Sequence, residues 1–340
     1  MRLFIPLFIL LGSVSCHNRD RIPDVSDIKI NLVTERFEKD LFHLDTLALS
    51  SQLDPLLARY PSFGEDFMGR IINANPGWKS DSTSAYVRGF ITAYRTIFDS
   101  SQLLFSDFLP YEKMIRQSLQ FLKYYFPKYK APEKIITYIG PLDGFGDALS
   151  DDAFLIGLHH HLGSSFPLYR SNLVQETYPE YISRRFEPGY IPINGMKNVV
   201  RDMYPELTED KSLVDQMLEK GKRLYLLSRL LPYTEEYKLI GYTKEEMNQC
   251  YTNESRIWEL FIQNDLLQNA DNNMVKNYIG ETPSTKELSD DKGHTAPGNI
   301  GSFTGWQIVK KYMSKNPGIP LDSLMKTDNE TLFAVAKYKP

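Results

Sequence analysis

The sequence predicts an α+β fold, predominantly helical with a small antiparallel sheet. Two β-branched apolar runs, Lys134 to Ile139 and Phe154 to Leu158, supply the strands. Long stretches with apolar residues at helical spacing supply most of the rest, and everything after residue 175 is dominated by helix. Of the 340 residues, 42% are hydrophobic and 24% charged, the balance of a chain with a real core and not of a disordered one.

The chain opens with a positive charge at Arg2 and an almost wholly apolar run from Leu3 to Leu11. A small-residue exit follows, Gly12-Ser13-Val14-Ser15, and ends at Cys16. This is the pattern of a secretory signal. The apolar run is about half the ~20 residues that cross a bilayer as a helix, so it is a poor permanent anchor. A cysteine directly after such an exit resembles the lipobox of bacterial lipoproteins, where the thiol receives a diacylglycerol; Ser13 stands where a leucine is common. Residues 1–15 are therefore the expected leader and Cys16 the expected lipid anchor, with a polar tether over 16–26 and a single helical domain over 27–340. With Cys16 acylated, Cys250 is expected to be a free, buried thiol on a helix face. Loss of Arg2 with the leader moves the formal net charge from −4 to −5. A mildly acidic chain without a basic cluster excludes nucleic acid as the partner.

Ile28 to Val33 alternates apolar and polar residues and reads as a short strand. Helical pattern runs from Glu35 to Met68, punctuated by Asp54-Pro55 and Tyr60-Pro61, and two amphipathic helices follow over Ser80 to Phe98 and Tyr111 to Phe126. The strand runs 134–139 and 154–158 flank a loop of Gly, Pro and Asp, so they read as an open hairpin. Glu209-Asp210 opens a later helix with negative charge at its positive end; Leu213, Met217, Leu224 and Leu231 line one face and Pro232 ends it. Thr243 with Glu246 forms a capping box ahead of a helix carrying Met247, Cys250, Tyr251, Trp258, Phe261 and Ile262. Gly298, Gly301 and Gly305 make a bare stripe before Trp306, Ile308 and Val309, which predicts close approach by another element.

Chemistry is harder to find. His159-His160-His161 falls at a strand end, where neighbours point to opposite faces. His159 and His161 share a face there, but two imidazoles do not make a zinc site, and the triplet reads as a solvent-exposed strand end. His17, His43 and His294 are scattered, and no His-Glu-x-x-His occurs. Asp143, Asp147, Asp151 and Asp152 lack calcium-loop spacing and read as solvated turn residues. Glu219, Glu254 and Glu259 leave an acid–base pair open, yet nothing selects one. No metal, no cofactor and no catalytic residue is assigned.

Several segments carry a resemblance. They are Ser26-Asp27-Ile28-Lys29-Ile30 with Glu35-Arg36-Phe37; Phe154 to Gly163; Tyr178 to Asp202; Leu213 to Pro232, with Gly221-Lys222-Arg223-Leu224-Tyr225 inside it; Ile257-Trp258; and Pro297 to Met313, with Trp306-Gln307-Ile308-Val309 the most specific block. Together they resemble the gliding motility-associated lipoprotein GldB family of Bacteroidota, departing from it at the histidine triplet. The resemblance implies an accessory lipoprotein of the gliding and coupled secretion apparatus, or of envelope assembly, with no established enzymatic activity. The membrane, through the lipid, and other envelope proteins are the implied partners. The tether lacks the acidic run that resembles a surface-export signal, so the outer membrane facing the periplasm is expected. More remotely, the order of elements looks like a zinc-peptidase family with His-Glu-x-x-His on one helix and Glu-Gly on the next. The first slot falls near Met196-Lys197-Asn198-Val199-Val200 and the second near Lys220-Gly221, where the metal ligands are missing. That implies a degenerate zinc-peptidase-like scaffold, a pseudoenzyme whose former cleft is free to bind a partner. Two other readings stand beside it: a metal-dependent peptidase using His159, His161 and a distant Glu, and a glycan- or peptidoglycan-binding lipoprotein using surface residues among its 21 tyrosines.

Overall fold

The computed structural model describes residues 22–206, 211–288 and 296–340; Cys16, His17, Glu209-Asp210 and His294 lie outside them. A four-stranded sheet lies within the core. It contains β1 (Val33–Arg36), β2 (Lys134–Tyr138), β3 (Ala148–Leu149) and β4 (Ala153–Gly157), in the order β1-β2-β4-β3. Between β1 and β2 the chain makes five helices: α1 (Phe37–Phe42), α2 (Leu49–Arg59), α3 (Pro61–Asp66), which runs into a π-helical turn at Phe67–Ile71, α4 (Ser80–Phe105) and α5 (Leu109–Tyr125). The two amphipathic helices expected around 80–98 and 111–126 are thus present, the first longer by a further two turns.

The hairpin expectation is corrected. β2 and β4 run parallel, with Ile135 opposite Phe154 and Thr137 opposite Ile156, and β1 is parallel to β2 as well. Parallel neighbours need a return connection. Residues 139–152 provide it, and the antiparallel hairpin is the short one between β3 and β4. There Ser150 closes the turn, its Oγ accepting from the Ala153 amide at 3.1 Å. A separate antiparallel pair joins β5 (Ser284–Thr285) to β6 (Ala296–Pro297).

The first strand is also shifted, from 28–33 to Val33–Arg36. Residues 28–32 have no sheet partner because side chains of α5 take their carbonyls. Gln120 donates to Ile28 O at 2.9 Å, and Arg116 donates to Ile30 O and to Leu32 O, the latter at 2.9 Å.

The second half is helical: α6 (Asn172–Thr177), α7 (Glu180–Ser183), α8 (Ile191–Met203), α9 (Leu213–Leu230), α10 (Glu236–Ile240), α11 (Lys244–Thr252), α12 (Glu254–Gln263), α13 (Asn272–Ile279), α14 (Ile300–Lys315), α15 (Leu321–Lys326) and α16 (Asn329–Ala336). Ser212 caps α9, accepting from the Asp215 amide. The Thr243–Glu246 capping box forms, but the helix it opens breaks at Asn253 into α11 and α12. Cys250 is buried and free in α11, and burial pushes its thiol up to about 12.

α14 is the central helix, buried on nearly every side by α9, α13, α16 and α12. The glycines explain how closely α9 crosses it. A Cβ at Gly305 would lie 1.8 Å from Met217 O, and one at Gly221 would lie 2.3 Å from Gly305 O. The backbones touch, as the stripe predicted; Gly298 lies just ahead of the helix, against Thr282 O.

Candidate functional site

The histidine triplet is not an exposed strand end. It forms a 3-10 turn after β4, and all three rings are buried. Their hydrogen bonds fix their protonation. The Gly140 amide donates to His159 Nδ1 at 3.0 Å and His159 Nε2 donates to Phe145 O at 3.0 Å, so this ring is neutral. Burial first, and His160 second, hold its pKa well below the ordinary value. His160 stacks on Phe186 at 4.2 Å, donates from Nε2 to Leu142 O, and is lowered to about 4 by burial. His161 faces two acceptors, Glu187 O at 3.0 Å and Asp147 Oδ2 at 2.8 Å, so both its nitrogens donate. Burial pulls its pKa down, but Asp147 outweighs burial and the net shift is upward.

Asp147 is the exception among the loop carboxylates. Its side chain is only 2% exposed, and it also accepts from the Gly157 amide and from Asn194. Burial leaves a carboxylate in place only when it is paired, and here one imidazolium and two neutral donors pair it. Asp143, Asp151 and Asp152 are exposed, as turn residues should be. The cluster clamps the 139–152 return to β4 and to α8. The ring nitrogens of His159 and His161 are all engaged in hydrogen bonds within the protein. Glu219 binds Lys222 and Arg223, Glu254 accepts from Tyr338, and Glu259 is exposed on α12.

The two peptidase-like slots lie on facing helices. Met196, Val199 and Val200 of α8 are buried in the core, and Gly221 of α9 is pressed against α14. Met, Val and Lys are not a zinc donor set, and among the described residues no group of three or more His, Cys, Asp or Glu side chains is placed to hold a metal. What the slots border is a cavity of about 560 Å³. α8 contributes Lys197 and α9 contributes Lys220 and Arg223. Its apolar wall is formed by Leu224 and Leu227 of α9 with Leu239 and Ile240 of α10. Asn299 and Ser302, at the start of α14, close the polar end.

Most charges there are already matched. Lys220 pairs with Glu206 at 3.3 Å, and Arg223 donates to Glu219 and to the Tyr204 and Pro205 carbonyls. Arg185, beside the cavity, pairs with Glu281 at 3.0 Å. Lys197 has no hydrogen-bond or ion-pair partner among the described residues. Burial, then Arg185, lowers its pKa to about 8, while Glu281 pulls the other way. Ser302 Oγ and Asn299 Oδ1 are buried and unpartnered. Asn299 adopts the left-handed conformation (φ 60°) and its side chain does not cap α14, whose first turn carries no acid.

A family model described as gliding motility protein GldB matches residues 18–340. The chain belongs to that family. No curated protein and no solved structure matches it. Membership of the GldB family ties the chain to gliding motility and to the cell envelope. The segments that carry the GldB likeness converge in space. Tyr178–Asp202 includes α8, Leu213–Pro232 is α9, and Pro297–Met313 is α14, so the three form the walls of the cavity and the glycine crossing beside it. No described helix is long and apolar enough to cross a membrane. The sequence pointed to Lys197 and Lys220 only as missing metal ligands. Asn299 and Ser302 carried no signal apart from their place beside the glycine stripe.

Proposed function

We propose that this chain is a lipid-anchored, non-catalytic envelope protein that supports the gliding-motility machinery and the secretion coupled to it through protein contacts. Membership of the GldB family carries the reading. The lipobox-like exit at Cys16 supports anchoring. The loss of catalysis is supported by the slots on α8 and α9, where Met196, Lys197 and Lys220 stand in place of ligands and general base. In this reading the lipid anchors the folded part to a membrane of the envelope, and a tether without an acidic export run favours the outer membrane facing the periplasm, within reach of other envelope proteins. Deleting the gene in a gliding host is expected to stop gliding and to depress secretion through the coupled apparatus; unchanged motility and secretion would sink the proposal. Metal analysis of untagged protein tests the non-catalytic half, and near-stoichiometric zinc would overturn it.

A further inference from the structure

We propose that the cavity between α8, α9 and α14 binds an amphipathic oxyanion, its head group on Lys197, Ser302 and the start of α14 and its apolar part along Leu224, Leu227 and Ile240. The site is separate from the question of how the chain is anchored. Four observations carry it.

First, a helix start presents amides with no partner in the helix, together with a partial positive charge, and so favours an anion. In α14 the Ser302 and Phe303 amides turn back to Asn299 O, while among the described residues the Ile300 and Gly301 amides have no partner and no side chain caps them. Second, Ser302 is 2% exposed, lines the cavity and has a hydroxyl without a partner among the described residues. A buried polar group left unpaired costs about 1–3 kcal/mol, a penalty that a ligand atom removes. Third, among the described residues Lys197 has no hydrogen-bond or ion-pair partner and Arg201 donates only to Asn198 Oδ1, while Lys220 and Arg223 are held by Glu206 and Glu219, so the cavity keeps cationic charge that no carboxylate pairs. Fourth, a volume of about 560 Å³ far exceeds what a bare phosphate fills, and the wall away from the polar end is aliphatic. The recognised chemistry is therefore an oxyanion bearing an apolar chain. A phosphate and a carboxylate head both satisfy it.

Isothermal titration of the full chain in dodecyl maltoside with four probes tests this: octyl phosphate, octanoate, inorganic phosphate and octanol. At least one of the two amphipathic anions is expected to bind at least tenfold more tightly than either inorganic phosphate or octanol. Whichever of the two wins identifies the head group. S302A and K197M are each expected to weaken that binding about tenfold. S302A should also leave Tm unchanged or raised, because it removes an unpaired hydroxyl and no internal bond. Binding should weaken as pH rises past about 8, where Lys197 loses its proton among Arg185, Arg201, Lys220, Arg223, Glu206 and Glu281. The proposal is overturned if neither amphipathic anion binds, if octanol or inorganic phosphate binds as well, or if S302A keeps both its fold and full affinity.

Discussion

At the residue scale, the histidine triplet shows how one residue type takes opposite charge states within three positions. His159 and His160 are held neutral by burial, and an unfolded chain would protonate them below about 6.5. The unfolded state then binds more protons than the folded one, so stability falls as pH drops from about 6.5 toward the folded value, about 4 for His160. At ~1.4 kcal/mol per unit, His160 alone costs roughly 3 kcal/mol by pH 4. His161 runs the other way. Its raised pKa means that the Asp147 pairing contributes fully below the unfolded value and fades as pH rises through the folded one. Stability should therefore peak between the two arms. H160F keeps the stack on Phe186 but cannot titrate. It should lose about 1–3 kcal/mol near pH 7, with Leu142 O left unpaired, and show a flatter urea midpoint between pH 4 and 6.5. An acid slope as steep as in the parent would assign the effect elsewhere. None of this was legible in the sequence, because a strand-end reading gives alternating exposure. The triplet instead folds into a turn that the 139–152 return covers.

At the element scale, the α9–α14 crossing gives the sharpest mechanical prediction. G305A places a Cβ 1.8 Å from Met217 O, a backbone atom that no rotamer change can move. Overpacking commonly costs about 1–3 kcal/mol, and a clash with backbone belongs at or above the top of that range. The control is G89A, in the exposed middle of α4 where a Cβ meets nothing. That change should stabilise by about 0.5–1 kcal/mol through helix propensity. Denaturant unfolding of both variants checks the pair, and equal effects would mean that the crossing is looser than described. The glycine stripe was readable because a costly residue recurring along a helix needs a reason. The strand pairing was not. Ile135-Ile136 and Phe154-Leu155-Ile156 lack alternation, which marks strands covered on both faces and so a parallel pair. The polar loop between them argued more loudly for a hairpin. Whether 14 residues turn once or return and turn again is settled by buried contacts of Asp147, and spacing alone does not record those.

At the scale of the whole molecule, the question is what holds the chain in the envelope. The described helices include none long and apolar enough to cross a membrane. In the proposed reading, attachment is by lipid on Cys16. Two or three acyl chains bind durably, since each buried CH₂ contributes ~0.8 kcal/mol, whereas a single chain binds marginally. C16S removes the thiol that would carry them. The C16S chain is expected to move from the membrane pellet to the soluble fraction, to incorporate no radiolabelled palmitate, and to melt at the same temperature as the parent. The cavity should be indifferent to the change: C16S should titrate octyl phosphate or octanoate with unchanged affinity, because Lys197 and Ser302 belong to the packed helices and not to the tether. A C16S chain that stays in the pellet after high-salt washing would mean that another part of the molecule grips the membrane.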